Sequence, residues 1–397
     1  MIIEIIIAII LGIVVGIFTG LFPGIHINLV GTFLVTLSSS FSNHSFMIYL
    51  VVFISSLAIA HTFIDFIPSI FLGCPDTDTE LAVLPGHEML KQGKGHEAVM
   101  RTAYGGLSGV ILLVLLFLPL SFLLSKTYPT IQKVIPYILI LVCIIMIFSE
   151  KNKLQAFLVM IITGILGYLV LDLNLKEPLL PLLSGLFGSS MLLLSIKQKT
   201  KIPKQKTNFK RIKLKNMMRP LSGAIIASPF CGFLPGLGGG QAAVIGNQIS
   251  RTNEKDFLIL LGIVNVFVMG LSFVSLYSIS RTRTGAAAAV QSLLGQVTFQ
   301  SLILIIIVCL ISGIISFFLT KKLSILFIKY IEKIDYNKLS KWTILFLSVL
   351  ILIISGILGL FVFGISTLVG LYCIQLNVKK TQMMGCLLIP TILLYLL

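Results

Sequence analysis

Charge is what this sequence has least of. Asp, Glu, Lys and Arg make up 11% of its 397 residues, where a soluble protein carries roughly 25%. Hydrophobic residues account for 57%, and the mean hydropathy is +1.06. A chain this apolar cannot cover itself with a wetted surface, so most of it belongs in lipid. That excludes a soluble enzyme, a nucleic-acid binder and a disordered protein. The six cysteines (Cys74, Cys143, Cys231, Cys309, Cys373, Cys386) include no C-x-x-C pair. They indicate neither a disulfide framework nor a zinc site, and read as small core residues. Gly-x-Ser-x-Gly, His-Glu-x-x-His and the P-loop lysine are also missing, so no catalytic or nucleotide chemistry is indicated. Transport would have to run on an ion or substrate gradient. The first 20 residues lack the basic n-region and cleavage site of a signal peptide, and read as a first membrane span.

Basic residues are absent before Lys91, although Lys and Arg number 30 against 14 Asp and Glu. Ten of them lie between Lys197 and Arg219, a stretch with no acid. In a membrane protein such a block marks the cytoplasmic side and meets anionic headgroups. Nucleic acid is therefore not the expected partner; membrane lipid is.

Apolar runs near 2–21, 46–72, 103–125, 134–149, 154–171 and 178–196 approach the length of a span, about 20 residues. A shorter run, 28–41, follows a Pro-Gly break. Beyond the basic block lie runs near 220–234, 240–250, 257–280, 299–320, 341–361, 362–376 and 383–397. Segment 323–336 mixes apolar and charged positions at helical spacing and reads as a helix lying along the interface.

The chain repeats itself. Gly20-Leu21-Phe22-Pro23-Gly24 recurs as Gly232-Phe233-Leu234-Pro235-Gly236, and Asp76-Thr77-Asp78-Thr79 has a counterpart in Arg281-Thr282-Arg283-Thr284. Two landmarks in the same order argue for duplication: a first repeat at 1–196, a basic cytoplasmic linker at 197–219, and a second repeat at 220–397. An N-terminus carrying Glu4 and no basic residue suits the outside, whereas the linker suits the inside. Seven segments between them make the repeats inverted, an arrangement common in secondary transporters. The expectation is an all-α, multi-pass protein of the plasma membrane, with broken or re-entrant helices at the Pro-Gly motifs.

Pro-Gly inside an apolar run breaks a helix, and in lipid the freed backbone groups persist only against protein or a wet cavity. The first break leads into His26 and Asn28, the second into Gly238, Gly239, Gly240 and Gln241. Bare glycines admit close approach, and a half-helix starting there offers unpaired N–H groups and its positive dipole end to an anion. Each break is otherwise a plain proline kink, but two at matching places in two halves point to a transport site.

The Thr-x-Thr pair is the second constellation. Arg281 and Arg283 suit a carboxylate or phosphate; Asp76, Asp78, Thr77 and Thr79 suit Na⁺ or a proton. Both segments also read as solvated loop ends. Asp65 sits in an apolar helix with His61 one turn before it, where the two can pair. An ionisable residue at membrane depth is a coupling candidate, the alternative being a structural pair. Asn265, Ser272, Ser275 and Ser278 give the second half a polar helix face that lines a path or glues helices. The five histidines (His26, His44, His61, His87, His96) fit no metal spacing and read as individual polar contacts.

GLFPGIHIN and GFLPGLGGGQA resemble the twin G-x-x-P-G-[LI]-[GH] segments of the large membrane subunit of tripartite tricarboxylate transporters. Ser69 through Pro75, then Thr79 and LAVLPGHEMLKQGKGHEAV with its Gly86-to-Gly93 motif, are similar to that family too. His26-Ile27-Asn28 looks like its archaeal branch, and Gly239 stands where the second segment often has proline. The resemblance implies an ion-coupled permease for di- or tricarboxylates, coupled to Na⁺ or H⁺, that works with a small membrane subunit and an extracellular binding protein. PGLGGGQAA also resembles the Pro-Gly-x-Ser-Gly-Gly segment of the polyprenyl-phosphate translocases, which implies a flippase for a lipid phosphate instead. A membrane scaffold without a substrate is the third reading.

Overall fold

The computed structural model describes residues 2–22, 44–75, 79–197, 203–209, 212–233, 239–331, 336–376 and 378–396. Among them all regular structure is helical, as lipid demands of a chain that must pair its backbone groups internally. Eight helices are long and apolar enough to cross a membrane. The protein is a multi-pass membrane protein.

α1 (Ile2–Leu21) is apolar all round but buries one stripe: Ala8, Ile9, Gly12, Ile13, Gly16, Thr19 and Gly20. Its other faces carry exposed Ile2, Ile6, Ile10 and Val14, side chains that water would reject and lipid accepts. The glycines, one per turn, bring its backbone against α2 (His44–Ile64). A Cβ on Gly16 would stand 2.7 Å from both Ala60 Cβ and Leu57 O. Small-residue contact of this kind drives helix association where no hydrophobic effect operates.

A turn at Asp65 separates α2 from α3 (Phe66–Leu72). A one-turn 3-10 segment (Glu80–Ala82) and α4 (Val83–Lys91) follow. α5 then runs as one helix from Gly95 to Phe148. Two separate segments, 103–125 and 134–149, were expected here. At 1.5 Å per residue α5 would measure about 80 Å if straight, more than twice the roughly 30 Å of hydrocarbon. Lys126, Thr127 and Pro129 make the middle look like a loop in sequence, yet the helical turns continue through it. α6 (Lys153–Asp172), α7 (Leu179–Leu183), a π-turn (Ser184–Ser189) and α8 (Ser190–Lys197) complete the first half.

In the second half α9 (Leu214–Phe233) and α10 (Gly239–Ser250) flank the second Pro-Gly segment. α11 (Glu254–Ile279) is buried at every position from Phe257 to Leu276, the mark of a helix at the centre of the assembly. α12 (Gly285–Leu294) and α13 (Phe299–Ile331) follow. The expected interfacial helix at 323–336 is instead, through residue 331, the end of α13. One face of it packs inward, with the Phe327 ring 6.0 Å from that of Phe71 and Ser324 Oγ 3.0 Å from His96 Nδ1, while Leu326, Lys329 and Tyr330 are exposed. α14 (Tyr336–Gln375) joins two expected segments and breaks at Gly356, whose φ of 71° suits a residue without Cβ. A 3-10 turn (Lys380–Met384) and α15 (Gly385–Leu396) end the described chain.

The halves exchange partners. α2 of the first packs along α13 of the second, and α11 of the second packs along α5 of the first. At the outer ends of α5 and α11, Arg101 bridges Glu97 (2.9 Å) and Asp256 (3.1 Å). Asn253 caps α11, its side chain accepting from Asp256 N at 2.8 Å. The basic segment is no loose linker where it is described. Gln205 is buried; its amide donates to Leu90 O (2.9 Å) and Pro203 O (2.8 Å), and its carbonyl oxygen accepts from Gly95 N (2.9 Å). Lys206 N adds a bond to Gly93 O at 2.9 Å. The segment is a strap over the turn between α4 and α5. Beneath it, burial lowers the pKa of Lys91 against the opposing pull of Glu88.

Candidate functional site

Where α2–α3 and α11 meet, apolar helices carry their few polar groups. Pro68 has no N–H to give the carbonyl of Ile64, so the ladder is interrupted at the turn where Asp65 sits. Asp65 is 4% exposed, and its Oδ2 accepts from Asn265 Nδ2 at 3.1 Å. The same amide group donates to Thr62 O at 3.3 Å. His61, the expected partner of Asp65, faces α1, its Nδ1 3.0 Å from Thr19 Oγ1. Thr19 Oγ1 also lies 3.2 Å from Gly16 O, to which its hydroxyl can donate.

The Thr-x-Thr loops fold back on these helices in the same way in both halves. Thr79 Oγ1 pairs with Ser69 Oγ at 2.7 Å, and Thr284 Oγ1 pairs with Ser272 Oγ at 2.9 Å. Each loop also takes a serine bond on a backbone carbonyl, but from different places: Ser69 Oγ itself reaches Cys74 O (3.3 Å), whereas Ser275 Oγ, not Ser272, reaches Arg281 O (3.2 Å). Thr284 also caps α12, accepting from Ala287 N at 3.2 Å. Thr62 and Asn265 are separated by 203, the same interval as Ser69 and Ser272, and the two touch through the Asn265 amide and Thr62 O. Of the arginines, Arg281 is exposed and Arg283 partly buried.

The second Pro-Gly segment delivers the buried start of α10. Gly239, Gly240 and Gln241 form its first turn and are covered on all sides. Against it lies Glu80, itself fully buried, from the 3-10 segment that follows Thr79. A Cβ on Gly240 would overlap Glu80 Oε1 and stand 2.9 Å from Met384 Cε. The first loop of one half thus reaches the broken helix of the other. Glu80 was not singled out in the sequence, because an acid after Asp76-Thr77-Asp78-Thr79 reads as one more charge on a solvated loop. Ser69 also escaped, as a plain member of the Ser69–Pro75 motif.

Pro23, Gly24, His26 and Asn28, then Asp76, Thr77 and Asp78, and Pro235, Gly236 and Gly238 lie outside the described residues. Those that are described divide in two: Asp65, Thr79, Gly239, Gly240 and Gln241 lie in the buried interior, while Arg281, Thr282, Arg283 and Thr284 form the loop before α12. Among the described residues no group of three or more His, Cys, Asp or Glu is placed to hold a metal ion.

An all-helical, multi-pass membrane protein with its polar groups gathered on central helices is the class that the fold defines. The tripartite tricarboxylate transporter TctA family matches residues 6–385, and the chain belongs to that family. An uncharacterized protein of Methanocaldococcus jannaschii is 32% identical over 355 residues, covering 87% of this chain and 88% of its own. No solved structure matches. The family is one of transporters that act in a tripartite system.

Proposed function

We propose that the chain is an ion-coupled permease for small carboxylate anions of the di- or tricarboxylate kind, embedded in the plasma membrane. The observation that carries the reading is the buried, glycine-lined start of α10 within a chain of a tricarboxylate transporter family. A helix start there presents N–H groups and positive dipole to an anion. The substrate site comprises Pro23, Gly24, His26 and Asn28 from the first break and Pro235, Gly236, Gly238, Gly239, Gly240 and Gln241 from the second. Arg281 and Arg283 draw the anion in. Na⁺ or H⁺ couples through Asp65, His61 and the segment Asp76–Thr79.

Two inverted repeats, 1–196 and 220–397, build this site. The reciprocal packing of α2 on α13 and α11 on α5 supports the duplication, as do the matched Ser–Thr pairs. A small membrane subunit and an extracellular binding protein are the partners this reading implies.

Thermal unfolding of the purified protein in detergent tests it. The ligands are citrate and succinate, with and without Na⁺, beside polyprenyl phosphate. A ligand present at about 100 times its dissociation constant adds roughly 2.7 kcal/mol. Stabilisation by a carboxylate is the expected result. Stabilisation by the lipid phosphate alone would make the protein a flippase, and stabilisation by neither would leave the scaffold reading.

A further inference from the structure

Glu80 is a charged group placed where the proposed substrate belongs. Its side chain is fully buried, and Oε1 rests on Gly240 in the first turn of α10, with Met384 beside it. This position is set by the fold. Thr79, bonded to Ser69, anchors the loop on α3, and the 3-10 turn starting at Glu80 packs against α3, α4, the π-turn and α11. Gly240 leaves the space: any side chain there would collide with the carboxylate. Among the described residues the arrangement is not repeated. At the offset of 205 that links Thr79 to Thr284, the residue matching Glu80 is Gly285.

We infer that Glu80 is a tethered competitor of the substrate. Its carboxylate holds the positive end of α10 while the site is empty, and an incoming anionic group must displace it. Two negative charges at one helix end repel, all the more where water is excluded. The glycine at 240 and the carboxylate at 80 therefore act as a pair, one making room for an anion and the other filling it. Glu80 then sets affinity: every anion that must displace it binds more weakly by the same factor, the cost of releasing the carboxylate from the helix end. The inference rests on the reading of α10 as the anion site. The shared chemistry is an anionic oxygen group, on a soluble carboxylate or on a lipid phosphate.

The test is the dissociation constant of citrate, of acetate and of polyprenyl phosphate, read from thermal shifts of the full-length protein in detergent. Wild type is compared with Glu80→Gln and Glu80→Ala. Both neutral variants should bind citrate about tenfold tighter or more, which is about 1.4 kcal/mol, and acetate should gain by a similar factor. Citrate binding by wild type that is unchanged or weakened in the variants would overturn the inference and leave the anion-site reading standing. If polyprenyl phosphate binds wild type and citrate does not, the carboxylate reading falls, and the same variants tighten the phosphate if Glu80 is the competitor. If neither ligand binds any of the three proteins, both fall. Failure of both neutral variants to fold would make Glu80 a structural cap of α10 and overturn the inference.

Discussion

Asn265 of the second half donates its side-chain amide to Oδ2 of Asp65 in the first, across 3.1 Å, from a helix buried at every position between Phe257 and Leu276. A carboxylate taken out of water needs such donors. Asn265 provides one from a helix that is apolar at nearly every other position, and its second bond, to Thr62 O, fixes the amide's orientation.

Replacing Asn265 by alanine removes both bonds and leaves the Asp65 oxygen and the Thr62 carbonyl to find other partners. The expected cost is about 1–3 kcal/mol, visible as a lower unfolding temperature in detergent. Asn265→Asp should cost more, because it sets two carboxylates against each other. An unchanged midpoint in Asn265→Ala would mean that the contact contributes nothing to stability.

The glycines separate close approach from backbone conformation. Gly16→Val drives two methyl groups into Ala60 and the Leu57 carbonyl and should weaken the α1–α2 contact by about 1–3 kcal/mol. Gly364 has open space around the position of a Cβ, so Gly364→Ala should be neutral or gain up to about 1 kcal/mol from helix propensity. Gly356 has equal space but a φ of 71°, so Gly356→Ala should lose about 1 kcal/mol or more to strain. Thermal midpoints of the three variants in one detergent check the order. A loss at Gly364 equal to that at Gly356 would refute the conformational account.

The helical class and the positions of most spans were legible in the sequence, because lipid forces long apolar runs and nothing else explains them. The Thr-x-Thr landmarks of the proposed repeat share one contact, since Thr79 and Thr284 each close a loop onto a serine of the preceding helix. What failed to show was connection. The polar residues around Lys126 suggested a loop inside what is one helix, since a helix outside the hydrocarbon needs no apolar run. The division of α14 falls at Gly356, which the hydropathy of 341–376 does not mark. Segment 323–331 looked interfacial because Lys329 and the charges that follow it at 332–335 interrupt the apolar pattern, whereas Ser324 and Ile328 are buried by contacts from distant parts of the chain. Glu80 stayed hidden for the same reason: its partner Gly240 lies in the other half.

The strap explains why the Gly86-to-Gly93 motif adjoins so basic a segment. Gln205 satisfies the buried Gly95 N–H at the α4–α5 turn and adds a second donor to Leu90 O, which also accepts from Gly93 N. Gln205→Ala should release 203–209 while the membrane helices stay folded. Limited trypsin digestion of the native protein should then cut at Lys204 and Lys206 at least several-fold faster than in wild type. Proteolysis follows the population of the open form, and losing three hydrogen bonds at about 1 kcal/mol each is ample to raise it. Equal rates would mean that the strap is held by its lysines on the lipid surface instead of by Gln205.

The inverted arrangement makes the sharpest statement about topology. If the repeats oppose each other, an odd number of crossings separates the N-terminus from the basic strap. Ile3 and Lys204 are both exposed, so cysteines introduced there should react with a membrane-impermeant maleimide without disturbing packing. Cys74, Cys143, Cys309, Cys373 and Cys386 are buried and should stay unlabelled, and Cys231 is replaced by serine in the labelling background. In intact cells Ile3→Cys should label and Lys204→Cys should label only after the membrane is opened, since Lys and Arg gather on the cytoplasmic side. Labelling of both from one side would put the halves parallel. The two helix starts would then point the same way, and a single anion site between them could not form.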